Sequence, residues 1–297
     1  IKVEYIRFYL NFSKKKTIIS FNYNRLVLFR IKKYYPDIKI IVIQNGLANN
    51  YFLNNLKKNE FDYSADHFFC ISNIEANIFK KKIKSNYEVI GSVKNNYYYK
   101  SKKIKKREVI FISQFRNKNI NFRSRPFFST YSYTQKLLFP ILVNFCKKNN
   151  LSLSILGSSY EKNQEIKYYN ELIKGISFRY YKRENKLSYK RVENALFGVG
   201  VESTLIYEML SRGNKVAIFN FGLKKSNAIK DEVFISKFGF KDQGKFWLKK
   251  FDKIKVVKIL QYLLNVSNER WNQDNLSYKK IIPFNKMNIR LKQVLNN

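Results

Sequence analysis

The sequence predicts an α/β protein built from two domains with parallel sheets, and three observations predict it. Short apolar runs recur that are continuous rather than alternating, as strands covered on both faces require. Helical patterns separate most of them, which suits parallel strands joined by crossover helices. A polar, basic stretch without amphipathic period, "KNNYYYKSKKIKKRE" (94–108), interrupts the pattern and reads as an interdomain linker, after which the alternation restarts.

Taken in order, "TIISF" (17–21) is followed by a helical pattern over 25–35 and by the strand "IKIIVI" (38–43). "HFFCI" (67–71) leads into a helix over 73–82 and then into "YEVI" (87–90). Beyond the linker come "VIFIS" (109–113), a long helix around 133–149, "LSLSIL" (151–156) and a helix over 161–174. "SFRYY" (177–181), the helix "SYKRVENA" (188–195), "LFGVGV" (196–201), a helix after Ser203 and "VAIF" (216–219) complete the alternation. Amphipathic segments at 254–264 and 287–295 are expected outside the second sheet. The expected layout is 1–93, a linker over 94–108, 109–270, and a terminal helical segment over 271–297.

Composition bounds the function. Of 297 residues, 45% are hydrophobic and 17% aromatic, so sizeable cores can form and wholesale disorder is excluded. No apolar run approaches the roughly 18 residues of a spanning helix; the longest, "LLFPILVNFC" (137–146), is interrupted by Pro140. Cys70 and Cys146 have no paired spacing and read as buried thiols rather than zinc ligands. The net charge of +37 would suit nucleic acid, an anionic membrane or phosphate-bearing substrates. The lysines are scattered, however, and the joint excess of Lys, Asn, Ile, Tyr and Phe is what an AT-rich genome encodes. Compositional drift is therefore the main cause, with attraction to anionic surfaces a by-product. No nucleic-acid fold signature or organised basic stripe is present, so no specific nucleic-acid partner is expected. The sequence opens at Ile1 without a signal-like segment and is expected to be a fragment lacking the first part of its N-terminal domain.

Open α/β sheets bind ligands at the carboxyl ends of their strands, beside helix N-termini that attract anions. Every notable polar cluster falls at such a place. Gln44, Asn45 and Gly46 follow the second strand, Ser72 the third, and Gly91 and Ser92 the fourth. Ser113, Gln114 and Arg116 follow "VIFI", Gly157 and Ser158 follow "LSLSIL", and Glu202, Ser203 and Thr204 follow "LFGVGV". Some of these have plain structural readings. Ser72 and Glu75 form a capping box; Gly91 and Gly157 read as turn glycines needing positive φ; Ser203 reads as a helix cap. His67 reads as a core or edge residue, and Arg116 as either a loop cation or a phosphate ligand. Glu202 is harder to explain by packing, because a carboxylate at a strand exit can accept bonds from sugar hydroxyls. Glu208 lies one turn on, near the face of Thr204, and reads either as its companion or as an exposed helix residue.

"IIVIQNGL", "DHFFCISNIEANIF", "VIGSVKNN", "VIFISQFR" and "GVESTLIYEMLSRGNKVAIFN" together resemble bacterial surface-carbohydrate glycosyltransferases of the GT-B class. These are distantly similar to CDP-glycerol glycerophosphotransferases and capsule Kdo transferases. The resemblance covers nearly the whole sequence and implies two Rossmann-like domains facing a cleft, the acceptor on the first and the nucleotide-sugar donor on the second. It implies that Glu202, Ser203 and Thr204 meet the donor's sugar and phosphates and Glu208 its ribose. Gly157, Ser158, Ser113, Gln114 and Arg116 would line the phosphate side, with "FRYYKRE" (178–184), Tyr181 among them, near the base. Gln44, Asn45, Gly46, Ser72, Gly91 and Ser92 would lie on the acceptor side. The class implies no cofactor and no catalytic metal, with Lys, Arg and helix N-termini stabilising the leaving diphosphate. It also implies a terminal helix returning towards the first domain, a glycan or lipid-linked glycan acceptor, and a cytoplasmic enzyme at the inner face of the cell membrane, an anionic surface. In one respect the sequence departs from the pattern: Gln44, Asn45 and Gly46 stand where the CDP-glycerol transferases carry a histidine–glycine pair, and neither amide can act as a base. Asp66 is the substitute candidate. The alternatives are a CDP-glycerol-type glycerophosphotransferase and a non-enzymatic basic module binding RNA or membrane.

Overall fold

The computed structural model describes residues 2–13, 16–48, 56, 63–98, 106–115, 125–158, 162–221 and 234–296. The chain divides into two compact units, Ile1–Tyr97 with Ile281–Asn297, and Tyr98–Lys280.

Unit 1 carries a four-stranded parallel sheet in the order β1 (Thr17–Ser20), β2 (Lys39–Ile43), β3 (Tyr63–Cys70), β4 (Ile83–Val89). The continuous apolar run of β2 has a direct reason. Ile40 and Val42 point into one core with Phe29, Phe68 and Phe79, while Ile41 and Ile43 join Phe69, Ile90 and Leu291 on the opposite face. Helices α1 (Lys2–Ser13), α2 (Leu26–Tyr34), α3 (Asn73–Lys80) and α4 (Val93–Tyr97) belong to this unit. The terminal helix α12 (Ile289–Asn296) supplies Leu291 to the second core.

Residues 94–97, read from sequence as the start of the linker, are instead helical and tied into unit 1. Asn96 donates to the carbonyl of Ile90 at 2.7 Å and to Asn288 Oδ1 at 2.9 Å, and accepts from Asn285 N–H at 2.9 Å. Polar side chains that read as solvated linker are here the bonds that seat the terminal segment. Helix α1 was not foreseen either, since its large side chains Tyr5, Phe8, Tyr9 and Phe12 are exposed and make no buried stripe.

Unit 2 carries a six-stranded parallel sheet in the order β10-β9-β8-β5-β6-β7. Its strands are β5 (Glu108–Ile112), β6 (Ser152–Leu156), β7 (Phe178–Tyr181), β8 (Phe197–Gly200), β9 (Val216–Phe219) and β10 (Trp247–Leu248). Helices α5 (Arg125–Lys148), α6 (Lys162–Leu172), α7 (Asn185–Asn194), α8 (Thr204–Ser211), α9 (Phe234–Lys237), α10 (Lys253–Asn265) and α11 (Asn268–Asp274) follow in order. From β5 the chain moves outward through β6 and β7, then returns to the other side of β5 with β8. That reversal between β5 and β8 is a topological switch point, where a doubly wound sheet offers a crevice at its carboxyl edge. The glycines of β8 let α8 lie close: a Cβ at Gly198 would stand 2.6 Å from Met209 Cε.

Both cysteines are buried free thiols. Burial pushes Cys146 up to about 12 and Cys70 well above the ordinary thiol range, so both stay protonated.

Candidate functional site

The carboxyl edge of unit 2 gathers most of the residues singled out from sequence. At the switch point, the backbone N–H of Glu202 donates to Gln114 Oε1 at 2.6 Å, joining the exits of β8 and β5. The Glu202 carboxylate is 2% exposed and accepts from Asn220 Nδ2 at 2.9 Å and Tyr207 Oη at 3.3 Å. Burial first, then the Glu202 carboxylate, holds the Tyr207 hydroxyl well above its ordinary range, fixing it as a donor. Asn220 sits directly after β9 and its Oδ1 is buried without a partner among the described residues.

Ser203 occupies the N-cap of α8 with extended backbone, yet its side chain makes no capping bond, contrary to the sequence reading. The α8 N-terminus brings the positive end of the helix dipole to the edge of the sheet, its Ile206 N–H bonded to the Ser203 carbonyl at 2.9 Å.

Beside the switch point a second carboxylate organises the exits of β5 and β6. Glu165 is fully buried in the first turn of α6. It accepts from Ser113 Oγ, from Ser158 N–H at 3.0 Å and from Tyr180 Oη at 2.8 Å. Tyr169 Oη adds a bond to Ser113 Oγ at 2.7 Å, and Arg183 reaches the Ser113 carbonyl at 3.1 Å from the exit of β7. Gly157 lies inside this cluster. Its φ is not positive, which corrects the turn-glycine reading; a Cβ there would stand 2.0 Å from Tyr180 Oη. The glycine is required by close approach, whereas Gly91 has φ +75 and also lies against the Pro283 carbonyl.

Two expected members lie apart from the cluster. Glu208 is 5% exposed, not a solvated helix residue, and accepts from Tyr189 Oη of α7 at 2.7 Å. Tyr181 turns its hydroxyl back to Glu108, at 3.2 Å, and Arg191 stacks 4.2 Å from its ring centroid. Thr204 is the first residue of α8 and half-buried. Arg116 lies outside the described residues.

In unit 1 the corresponding edge is closed by Glu75, which is 1% exposed. Ser72 caps α3 by accepting from Glu75 N–H at 3.2 Å, as the capping box predicts. The Glu75 carboxylate also accepts from Gln44 Nε2 and from Ala48 N–H at 2.9 Å. Gln44 is fully buried; its Oε1 accepts from Ile71 N–H at 3.0 Å and its Nε2 donates to the Gly46 carbonyl at 2.8 Å. Asn45 is exposed beside it. Ser92 accepts from Asn95 N–H at 3.4 Å, opening α4.

Asp66 stands opposite the start of β2, away from the strand exits. Its Oδ2 accepts from Ile40 N–H at 2.7 Å and its Oδ1 pairs with Lys32 Nζ at 2.8 Å. Burial pushes its carboxyl up, but the bonds from Lys32 and Ile40 outweigh this and hold it below the ordinary value. A carboxylate held ionised in this way is a weak base, and the geometry gives it a clamping task.

Sequence reasoning missed Glu165 and Asn220, while Arg183 falls within the segment 178–184 expected near the base. Asn220 lies directly beyond β9, so the strand-exit rule would have found it. Among the described residues no cluster of His, Cys, Asp and Glu could hold a metal, and no helix is long and apolar enough to cross a membrane.

The fold and this edge define a class before any family enters: two α/β units, the second with a Rossmann-type switch point. Solved structures share the fold. The S. aureus TarM variant in complex with Fondaparinux, alpha-GlcNAc-glycerol and UDP matches with TM-score 0.52 and 16% identity, over 97% of this chain and 57% of that one. The pneumococcal O-GlcNAc transferase GtfA in complex with UDP and GlcNAc matches with TM-score 0.55 and 13% identity, over 99% and 60%. The Methanocaldococcus jannaschii UDP-GlcNAc 2-epimerase in complex with UDP-GlcNAc and UDP matches with TM-score 0.58 and 12% identity, over 99% and 79%. The chain thus spans less than two thirds of the two transferase structures. No curated protein matches the sequence. A family model described as "putative O-antigen biosynthesis protein" matches residues 41–297, and the chain belongs to that family.

Proposed function

We propose that this chain carries the donor-binding part of a GT-B glycosyltransferase that moves a sugar from a nucleotide sugar to a growing cell-surface glycan, free or lipid-linked. The observation that carries this reading is the switch point of unit 2, where Gln114, Glu202 and Asn220 meet the N-terminus of α8. A diphosphate suits the positive end of the dipole at that terminus, and Arg183 supplies a cation at the neighbouring strand exit. Glu202, already bonded to Tyr207 and Asn220, acts chiefly by holding Asn220 and the α8 terminus in place, and would meet a sugar hydroxyl by exchanging one of those bonds. Family membership and the nucleotide-sugar enzymes that share the fold support the same reading. Unit 1, with Gln44, Asn45, Gly46, Ser72, Gly91 and Ser92 at its strand exits, takes the acceptor side.

Calorimetry with UDP, CDP and GDP sugars tests the donor site. The expected result is binding of at least one of them, weakened roughly tenfold or more in Glu202→Gln and Asn220→Ala; absence of binding by all of them would sink the proposal. Preference for cytidine would favour a CDP-glycerol-type transfer instead. The fold likeness to an epimerase over 79% of its length favours a second reading, epimerisation of the nucleotide sugar itself. Incubating the bound donor without acceptor separates the two: interconversion of sugar epimers, followed by NMR, marks an epimerase. Acceptor-dependent release of the nucleoside diphosphate, persisting in EDTA, marks a metal-independent transferase.

A further inference from the structure

We infer that α10 and the groove beside it form a docking surface for an anionic lipid bilayer, a property beyond the proposed transfer reaction and independent of it. The inner side of α10 is ordinary: Val256, Ile259, Leu260 and Leu263 are buried, against α5 and β9. Its outer side is not what a solvated helix carries. Ile254 and Val257 are 68% and 40% exposed and, three residues apart, share one face of the helix; Phe251, just before the cap, is 42% exposed with its ring edge-on to Phe221.

Lysines interleave with these side chains. Residues 241–258 hold seven lysines against two aspartates. Both aspartates are engaged, Asp242 with Lys250 at 3.1 Å, and Asp252 as the cap of α10, 3.8 Å from Lys255 Nζ. No carboxylate among the described residues pairs with Lys253 or Lys258. Next to the stripe lies an open groove of about 590 Å³, with Leu248, Ile259 and Tyr262 between Lys245, Lys255 and Lys258. Lys245 is held at its rim by Asp274, at 2.7 Å.

Aliphatic side chains flanked by long cations are what an interfacial helix needs. The apolar stripe enters the acyl boundary while lysine stems lie along it and their ammonium groups stay at the headgroups. Nucleic acid fits less well, because exposed Ile254 and Val257 gain nothing from a phosphate backbone and offer no stacking face. The groove, apolar within and basic at its mouth, suits a single anionic lipid drawn partly out of the bilayer.

The test uses the full chain with phosphatidylcholine vesicles, with and without phosphatidylglycerol, at physiological salt. Sedimentation should show binding that requires the anionic lipid. Lys253→Gln with Lys255→Gln and Lys258→Gln should weaken it about a hundredfold, since each lysine at such a surface contributes about fivefold. Phe251→Ser with Ile254→Ser and Val257→Ser, which leaves charge unchanged, should weaken it roughly tenfold or more. Lys162→Gln with Lys167→Gln and Lys174→Gln, the same charge change around α6, should leave most of the binding intact. A control that loses as much as the α10 lysine variant would overturn the inference, because the +37 charge alone would then explain binding. Hydrogen exchange on the unaltered protein gives an answer that no folding defect can blur. Vesicles should protect α10; protection confined to the exposed aromatic face of α1, or stronger protection of α10 by RNA than by vesicles, would overturn the assignment.

Discussion

The two units use one device at their strand exits and differ in what surrounds it. In unit 1 the buried Glu75 ties Gln44 and Ala48, which follow β2, to the start of α3. In unit 2 the buried Glu165 ties Ser113, which follows β5, to Ser158, which follows β6. Each is a helix carboxylate whose acceptor capacity is filled by a strand-exit side chain and a backbone N–H. The difference is topological. The sheet of unit 1 runs in sequence order, β1-β2-β3-β4, whereas that of unit 2 reverses between β5 and β8. At the reversal the backbone N–H of Glu202, after β8, donates to the Gln114 side chain, after β5, and the Glu202 carboxylate accepts from Asn220, after β9. A buried helix glutamate beside the strand exits is thus a rigid support in both units; only in unit 2 does it stand next to a reversal of chain order, the place where doubly wound sheets bind ligands.

The largest expected effect comes from removing the supports themselves. Glu165→Ala leaves Ser113, the Ser158 N–H and Tyr180 without an acceptor in a dry site, and should cost about 4 kcal/mol. Glu75→Ala, with fewer donors left over, should cost about 3 kcal/mol. Urea unfolding can tell the units apart, because both tryptophans, Trp247 and Trp271, lie in unit 2. Tryptophan fluorescence should register the first substitution, and far-ultraviolet dichroism without a tryptophan change the second. A cost near that of a surface substitution for either would break the parallel between the units.

A smaller effect isolates one contact. Gly157→Ala drives a methyl against Tyr180 Oη, 2.0 Å from the new Cβ, and so displaces the tyrosine from Glu165. The expected cost is about 2 kcal/mol. Adding Tyr180→Phe should recover part of it, since the clashing oxygen is gone. Strict additivity of the two changes would mean the glycine is needed for some other reason.

These supports mark where sequence reading succeeds and where it stops. The strands were legible because burial on both faces writes an unbroken apolar run, as Ile40 to Ile43 does with alternate residues in two cores. Strand exits, and with them Gln114 and Glu202, were legible from the same pattern. Glu165 was not, because its partners lie 52 residues away at Ser113 and 15 at Tyr180, and nothing local sets it apart from an exposed helix carboxylate. The need for Gly157 likewise comes from a tyrosine in the next strand, β7. Ser203 shows the opposite failure: its cap position was legible, while the absence of a capping bond depends on the rotamer. The two-residue β10 is too short to carry any period.

The smallest expected effect separates support from chemistry in unit 1. Asp66 was the one candidate base in the sequence, yet it clamps Lys32 and Ile40 N–H with a carboxyl held below the ordinary value of 3.8. A depressed folded pKa contributes stability that is complete above the unfolded value, about 3.9, and is lost as pH falls through the folded one. Unit 1 should therefore weaken only below about pH 4, and by less than about 1 kcal/mol, because the pair is partly exposed to water. Asp66→Asn keeps an oxygen for Ile40 N–H and removes the charge. It should cost a fraction of a kcal/mol at neutral pH, flatten the acid limb of stability measured by thermal unfolding, and leave kcat for sugar transfer unchanged. Loss of turnover with the acid limb intact would return Asp66 to the role of base and leave the clamp as a minor part of what it does.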